Sequence, residues 1–366
     1  MIDNAFGLIV TGERTTRLKD LTLSRSTAAV PFGGRYRAID FMLSNLANAE
    51  VTDVGVVMEG NYQSLLDHLG NGRVWDMTRK FGGLKLLPPY IGRGAYRGWM
   101  DALRYLKSYV EEIRQEYVLL SNSDVVVNLP LREALDRHVS SGADVTVICT
   151  SNTDTGVEDT YFRVDESGKV TETLHRVQKT DGKRSLGIYI LSKELLLKAI
   201  DECAAHDEYN FIAGVLQDGA LAPNVYAFVW DGFAAQIKTL KQYHEYSMKL
   251  LQPEIRADLF CRERPIRAKV DDEAASYIAP DAHCVNSLVA DGCMIEGSVE
   301  DSILFPGVTV ARGAKVKNCI LMKNMSVGED AQLDYIIADK GVALGSNTRL
   351  AGNANYPMAV AKQSIV

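Results

Sequence analysis

The chain has 366 residues, of which 46% are hydrophobic and 24% charged, the balance of a globular protein rather than a disordered or fibrous one. At roughly 150 residues per domain, this length predicts two domains, or one large domain with an appendage. Lysine and arginine total 40 against 47 aspartate and glutamate, giving a net charge of −7 without a long basic run, so we expect no nucleic-acid partner.

The N-terminus and the cysteines indicate the compartment. The segment from Met1 to Val10 lacks a basic region followed by an apolar stretch and a small-residue cleavage site. We therefore expect no signal peptide, no membrane partner and a cytoplasmic location. Six cysteines are scattered without a CxxC pair, which predicts reduced, small apolar side chains rather than a metal site.

Short apolar runs alternate with amphipathic segments over the first two thirds of the chain. Strands are predicted at Phe6–Val10, Val54–Val57, Tyr117–Leu120 and Val145–Cys149, and helices at Ile39–Ala49, Trp99–Arg114, Leu131–His138 and Leu195–Ala204. Because parallel neighbours need a crossover of a dozen or more residues, this alternation predicts βαβ units and a mostly parallel sheet. A charged, irregular passage over residues 253–277 predicts a linker.

From about residue 278 the pattern changes to a six-residue period. Leu304, Val310, Val316 and Met322 recur every six residues, and Val327/Leu333 and Leu344/Leu350 continue the period after shifts in phase. Such a period is typical of a β-helix of hexapeptide repeats, in which the aliphatic residue on each side of a triangular coil points inward. The alternative is a β-sandwich of short strands, which would show turns about every 8–12 residues.

The motif over residues 8–45 is the most specific feature of the chain. It is LIVTGERTTRLKDLTLSRSTAAVPFGGRYRAIDFMLSN, and it resembles the opening of ADP-glucose pyrophosphorylases, AGGxGTRLxxLT followed by KPAVPFGGKYRxIDFxLSN. Further matches are Arg97-Gly98 with Asp101-Ala102 (family RGTADA) and Ser185 with Gly187-Ile188-Tyr189 (family SMGIY). The resemblance covers the whole chain. It implies an α/β, Rossmann-like nucleotidyltransferase domain over 1–252 and, after the linker, a left-handed β-helix of hexapeptide repeats over 278–366.

The sequence departs from this family in the parts that bind the nucleotide. Nucleotidyl transfer needs backbone N–H groups at the phosphates, cations that offset the transferred charge, and acidic residues that hold Mg²⁺. The family's second and third loop glycines are Glu13 and Thr15 here, and side chains there obstruct the approach of backbone to phosphate. The lysine of KPAVPF is Thr27, so a positive charge expected near the pyrophosphate is missing.

The two aspartates that hold Mg²⁺ in the family are also altered. The first lies in a GDH segment after a strand. Counting from the strand places Ser123 at its position, and counting back from Asn128 places Asp124 there. The second lies in a YWRDVGT segment, which matches residues 233–239 with Gln236 at the aspartate position. Because Mg²⁺ prefers charged oxygen ligands, we expect neither a metal site nor an intact catalytic set.

The sugar-phosphate side departs less from the family. The EKP segment is His175-Arg176-Val177, which keeps a cation in Arg176, and Asn210 stands at an aspartate position, while Ser185 persists. The resemblance therefore implies sugar-phosphate binding by Arg176, Ser185 and Asn210. Arg35, at the lysine position of GGKYR, is either a solvated loop cation or a ligand of a phosphorylated effector.

These departures predict a regulatory subunit that makes no ADP-glucose by itself. Because the family works as a tetramer, the expected partner is a catalytic ADP-glucose pyrophosphorylase subunit in a hetero-oligomer. That partner would hold Mg²⁺, and this chain would hold no cofactor of its own. One alternative is a self-sufficient ADP-glucose pyrophosphorylase, also called glucose-1-phosphate adenylyltransferase, with altered ligands. The other is a stand-alone sugar-phosphate sensor.

Overall fold

The computed structural model describes residues 4–11, 18–58, 60–80, 82–88, 97–151, 156–178, 180–217, 219–270 and 272–366. These residues form two compact units. The first unit comprises the described residues within 1–13, 41–236 and 262–267, and the second those within 14–40, 237–261 and 268–366. The domain bounds drawn along the chain, 1–252, 253–277 and 278–366, stay a prediction. No helix among the described residues combines the length and apolar character needed to cross a bilayer.

The chain up to residue 260 contains both strands and helices. The strands are β1 (Ala5–Val10), β2 (Pro31–Phe32), β3 (Tyr36–Arg37), β4 (Val54–Val57), β5 (Leu84–Leu87), β6 (Tyr117–Asn122), β7 (Val125–Val127), β8 (Val145–Thr150), β9 (Asp159–Val164), β10 (Val170–Val177), β11 (Lys183–Ser192), β12 (Val225–Trp230) and β13 (Ala234–Gln236). The helices are α1 (Ala38–Asn48), α2 (Gln63–Leu69), α3 (Trp99–Tyr105), α4 (Lys107–Glu112), α5 (Leu131–Ser141), α6 (Lys193–Ala205), α7 (Leu240–Lys249) and α8 (Pro253–Leu259).

The predicted strands and helices are confirmed with two differences. The helix expected over Trp99–Arg114 is interrupted at Leu106, which separates α3 from α4. The passage predicted to be an irregular linker contains α8, because Pro253 occupies its first position, where a missing N–H costs no intrahelical bond.

One mixed sheet occupies the first unit, in the order β10-β9-β11-β6-β1-β4-β5, with β8 pairing with β11 and β12. β1 is parallel to β4 and β6, whereas β11 is antiparallel to β6, β8 and β9. The expectation of a mostly parallel sheet is therefore wrong. Residues 165–169 alone join β9 to β10, a connection too short for a crossover helix, so this part of the sheet is antiparallel.

Helix α6 shows how the sequence covers this sheet. Its buried residues Leu196, Ala199, Ile200 and Cys203 recur at helical spacing and belong to the same apolar core as Phe6 of β1. The side chain of Ser192 caps the helix by accepting a hydrogen bond from the Leu195 N–H at 3.1 Å. The apolar face of the helix and its cap together fix where the chain turns back from β11.

A buried histidine makes the stability of the first unit depend on pH. His138 of α5 lies with Nδ1 2.8 Å from Thr146 Oγ1, and burial lowers its pKa to about 4. In the unfolded chain the ring titrates near 6.5. As pH falls below about 6.5, the unfolded state therefore binds a proton that the folded state refuses, so stability falls until about pH 4 and then levels off.

We expect the free energy of unfolding to drop by about 2 kcal/mol between pH 7.5 and 4.5 through His138 alone. Urea unfolding at both pH values, compared with His138→Gln, measures this contribution. The glutamine variant should lose correspondingly less stability over the same interval. Equal losses in the two proteins would show that His138 does not carry the effect.

The C-terminal part of the second unit is a parallel β-helix. Its strands are β14 (Tyr277–Ile278), β15 (His283–Val285), β16 (Leu288–Val289), β17 (Met294–Ile295), β18 (Ser298–Glu300), β19 (Ile303–Leu304), β20 (Thr309–Val310), β21 (Lys315–Lys317), β22 (Ile320–Leu321), β23 (Ser326–Val327), β24 (Gln332–Asp334), β25 (Ile336–Ala338), β26 (Ala343–Leu344), β27 (Arg349–Ala351) and β28 (Met358–Val360). Every third strand joins the same sheet, which gives three parallel sheets. The β-sandwich alternative is therefore wrong.

The register of the coil explains the phase shifts in the sequence. Val310 pairs with Val327, so a full turn is one residue shorter than three six-residue repeats. The inward position in β22 is accordingly Leu321, which pairs with Leu304 and belongs to the core, and not the predicted Met322. Met322 is buried as well but falls one residue beyond that register. The remaining predicted inward residues belong to the coil's core or, for Leu350, pack against it.

Candidate functional site

Polar side chains gather where β6 ends in the first unit. Asn122 is the last residue of β6, and Ser123 and Asp124 form the bend before β7; all three are buried. β7 pairs with β13, which places Gln236 opposite Val125. The structure thus brings together both positions matched to the family's metal aspartates. They lie beyond the carboxyl end of a strand that is parallel to β1, which is where α/β sheets bind ligands.

A bulge in β11 lies against this end of β6. The register of β11 against β8 shifts between Ser185 and Ile188, and within the bulge Gly187 has a φ of +67°. A Cβ at Gly187 would overlap the side-chain amide of Asn122, so only glycine permits this approach. Ser185 Oγ accepts a hydrogen bond from the Gly187 N–H at 3.1 Å and lies 3.1 Å from the Tyr189 hydroxyl. The predicted sugar-phosphate residue Ser185 is thus buried and engaged within β11.

Arg184, the residue before Ser185, was missed by the sequence analysis. Its side chain is 1% exposed, and Nη1 lies 3.7 Å from Asp159 Oδ2. The same Nη1 donates to Gln236 Oε1 at 3.5 Å. Because an arginine stays protonated in proteins, the amide oxygen at the second metal position faces a permanent positive charge.

The donors around Gln236 do not fit Mg²⁺. This ion takes hard oxygen ligands in near-octahedral geometry, most readily from carboxylates. Here Asp159 is paired with Arg184, and the Gln236 oxygen accepts a bond from the same guanidinium. The bend contains one carboxylate, Asp124. A metal cation beside that guanidinium would be repelled by it. Within the described ranges, no group of three or more His, Cys, Asp or Glu is placed to hold a metal.

Asn210 and His175 meet on the predicted sugar-phosphate side. Asn210 Oδ1 accepts from the backbone N–H groups of Ile212 and Ala213, at 2.8 and 3.1 Å, and so caps the helical turn that follows. Its amide nitrogen therefore faces His175 Nε2, at 3.3 Å. Since an amide nitrogen can only donate, His175 Nε2 is the acceptor in this contact. The amide oxygen of Asn210 is thus committed to holding the backbone.

Two exposed arginines lie near these residues in the chain. Arg176 follows His175 at a register shift in β10 and has a φ of +59°, a conformation that non-glycine residues seldom adopt. The guanidinium of Arg97 lies 3.7 Å from the ring centroid of Tyr209, the residue before Asn210. These cations could meet a phosphate from solvent, which the buried Arg184 cannot do. The binding roles of Arg176, Ser185 and Asn210 stay predictions.

Thr27 and Arg35 belong to the second unit. Thr27 is buried at the start of a 3-10 turn, Thr27–Ala29. Arg35 is exposed in the turn of the β2–β3 hairpin, after Gly33 and Gly34, whose φ values are +64° and +78°. An exposed fork of donors beside glycine backbone suits a phosphate group, and the effector role stays a prediction. Glu13 and Thr15 lie outside the described residues.

An α/β sheet with a polar cluster at its strand ends, followed by a β-helix, is the architecture of nucleotidyltransferases that carry a hexapeptide-repeat domain. A family model described as nucleotidyl transferase matches residues 6–252, and one described as GlmU-like, C-terminal hexapeptide matches residues 272–356. Together with the relatives described next, these matches show that the chain belongs to the ADP-glucose pyrophosphorylase family.

Relatives of two kinds are similar to the chain. The glycogen biosynthesis protein GlgD of Bacillus subtilis is 36% identical over 353 residues, covering 94% of this chain and 92% of the relative. The glucose-1-phosphate adenylyltransferase of Acetivibrio thermocellus is 32% identical over 96% of this chain and 84% of its own length. That of Geobacillus stearothermophilus is 33% identical over 87% of this chain and 84% of its own. Because these identities are close, the distinction between the two kinds rests on the site residues.

Proposed function

We propose that the chain is a non-catalytic regulatory subunit of glucose-1-phosphate adenylyltransferase, which modulates the formation of ADP-glucose from ATP and glucose 1-phosphate in glycogen biosynthesis. The observation that carries this proposal is the buried contact between Arg184 and Gln236, at 3.5 Å. It sets a guanidinium and an amide where the family's chemistry requires a metal-holding carboxylate. The altered residues Glu13, Thr15 and Thr27 support the same conclusion from the nucleotide side.

The partner we propose is a catalytic glucose-1-phosphate adenylyltransferase subunit in the cytoplasm, joined with this chain in a heterotetramer. The similarity to the glycogen biosynthesis protein GlgD supports this choice. That partner would bind Mg²⁺ and the substrates, and a phosphorylated effector at Arg35 would act through this chain. Such regulation needs only contacts that differ between two conformations of the assembly.

A second candidate is a self-sufficient glucose-1-phosphate adenylyltransferase with altered ligands. The identities of 32% and 33% to adenylyltransferases over most of the chain favour it. So does the buried Asp124, which keeps one carboxylate in the bend after β6. The two candidates differ in whether the purified chain turns over substrate without a partner.

We expect the purified chain alone to form no ADP-glucose from Mg²⁺, ATP and glucose 1-phosphate. Mixed with a catalytic subunit, it should change that subunit's activity or its response to inorganic phosphate by about 5–150-fold, the usual range of coupling between sites. Release of pyrophosphate and formation of ADP-glucose are the measurements. Albumin at the same concentration controls for nonspecific stabilisation of the catalytic subunit.

Robust turnover by the unmodified chain, free of any partner and abolished by Asp124→Asn, would establish the self-sufficient enzyme instead. Tight binding of glucose 1-phosphate without any effect on the catalytic subunit would point to the stand-alone sensor. A change in the mixed assembly with silence of the chain alone is the result that the regulatory proposal requires.

A further inference from the structure

Arg184 lies where oxygen atoms from separate elements converge. Asp159 Oδ2, from the first residue of β9, is 3.7 Å from its Nη1, and Gln236 Oε1, from the last residue of β13, is 3.5 Å away. Proteins hold hard metal ions in a similar way, between oxygen atoms that surround the cation. Here the cation belongs to the chain. We propose that Arg184 is a built-in cation that takes the place of the metal, so that this cluster excludes a divalent ion.

The register of the sheet holds Arg184 in this position. On β11 it pairs with Thr150 of β8 on one side and Tyr161 of β9 on the other, and both neighbours are buried. A buried guanidinium is strongly unfavourable unless oxygen atoms offset its lost hydration. Asp159 and Gln236 supply such atoms. The charge is thus fixed in the fold, whereas a bound metal would have to be acquired from solution.

The behaviour of Gln236→Asp distinguishes a built-in cation from the simple loss of a metal ligand at position 236. If a missing carboxylate were the whole defect, Gln236→Asp would restore metal binding together with Asp124. If Arg184 takes the place of the metal, the introduced carboxylate would pair with the guanidinium, since an opposite charge within about 4 Å is strongly attracted in a buried site. Metal binding would then require both Gln236→Asp and Arg184→Ala.

The test uses Mn²⁺ alone as the probe, with its binding followed by electron paramagnetic resonance and calorimetry on the full chain. The proteins are the wild type, Gln236→Asp, Arg184→Ala/Gln236→Asp and the control Arg163→Ala/Gln236→Asp. Arg163 lies on neighbouring β9 but is about half exposed, so the control removes an arginine without changing the buried cluster. We expect Mn²⁺ to bind at least about tenfold more tightly to the Arg184 double variant than to the other three proteins.

Equal Mn²⁺ affinity in Gln236→Asp and the Arg184 double variant would overturn the inference. So would binding by the wild type that Asp124→Asn abolishes. If the Arg184 double variant fails to fold, Gln236→Asp alone still decides. Its melting temperature should be unchanged by Mn²⁺, and a rise that Asp124→Asn removes would contradict the inference.

The inference rests on the proposed loss of chemistry at this cluster, but its test does not use ADP-glucose formation. A chain that excludes Mn²⁺ as expected and yet has no effect on a catalytic subunit would contradict only the proposed regulatory function. A chain that modulates the catalytic subunit and gains Mn²⁺ binding by Gln236→Asp alone would contradict only the role of Arg184.

Discussion

Replacing Arg25 by alanine is expected to destabilise the second unit by about 3–5 kcal/mol, because the change leaves a buried carboxylate without its counter-charge. Arg25 Nη1 and Nη2 each donate to one oxygen of Asp339 at 2.8 Å, a bidentate pair whose side chains are 2% and 0% exposed. Nη1 also donates to the Leu21 carbonyl at 3.2 Å. The pair ties the segment before β2 to the residue that follows β25 of the β-helix, within one unit.

Urea unfolding measures this effect, and the chain offers a matched control. Arg132 donates to Glu50 at the same 2.8 Å, but the two side chains are 43% and 68% exposed. Arg132→Ala should therefore cost less than about 1 kcal/mol. The double change Arg25→Met/Asp339→Leu should recover most of the lost stability, because it removes both charges and fills the space. Equal costs for Arg25→Ala and Arg132→Ala would show that burial does not give this pair its importance.

The fold followed from the sequence wherever one local pattern decides the structure. Apolar runs such as Val54–Val57 became strands, and the hexapeptide period became the β-helix, because both patterns report which side chains face a core. The relative directions of the strands in the sheet did not follow from the sequence. β11 is antiparallel to β6, β8 and β9, and strands β8 to β11 follow one another with no helix in the described residues between them. Of these four strands only β8 was predicted, so the antiparallel half of the sheet could not be anticipated.

The candidate site was likewise predictable from the sequence only in part. Counting along the chain placed Gln236 at a metal position, and its pairing opposite Val125 brings it beside the bend formed by Ser123 and Asp124. Arg184 could not be found in this way. In the sequence Lys183-Arg184 looks like a solvated strand end, and its burial depends on β8, β9 and the distant Asp159. One signal was present: residues 186–191, which follow Arg184, are wholly apolar apart from a glycine and a tyrosine, as in a buried central strand.

Formation of ADP-glucose by this chain should become detectable only when five positions are changed together. These are Glu13→Gly, Thr15→Gly, Thr27→Lys, Gln236→Asp and Arg184→Ala. The glycines would let backbone approach the phosphates, and the lysine would return a charge near the pyrophosphate, a kind of contact worth about 10²–10³ in rate. The last two changes would replace a fixed guanidinium by a carboxylate that can hold Mg²⁺ beside Asp124.

The control is the same variant with Arg184 retained, assayed for ADP-glucose at equal concentration. It should remain at background, because the carboxylate introduced at position 236 would pair with the guanidinium and groups that act as a unit fail together. Asp124→Asn in the five-change variant should abolish whatever activity appears. Equal turnover with and without Arg184 would contradict its role at the metal position. A five-change variant that binds Mn²⁺ but forms no ADP-glucose would indicate that Ser123, and not Asp124, corresponds to the family's first aspartate. Ser123→Asp should then raise its turnover.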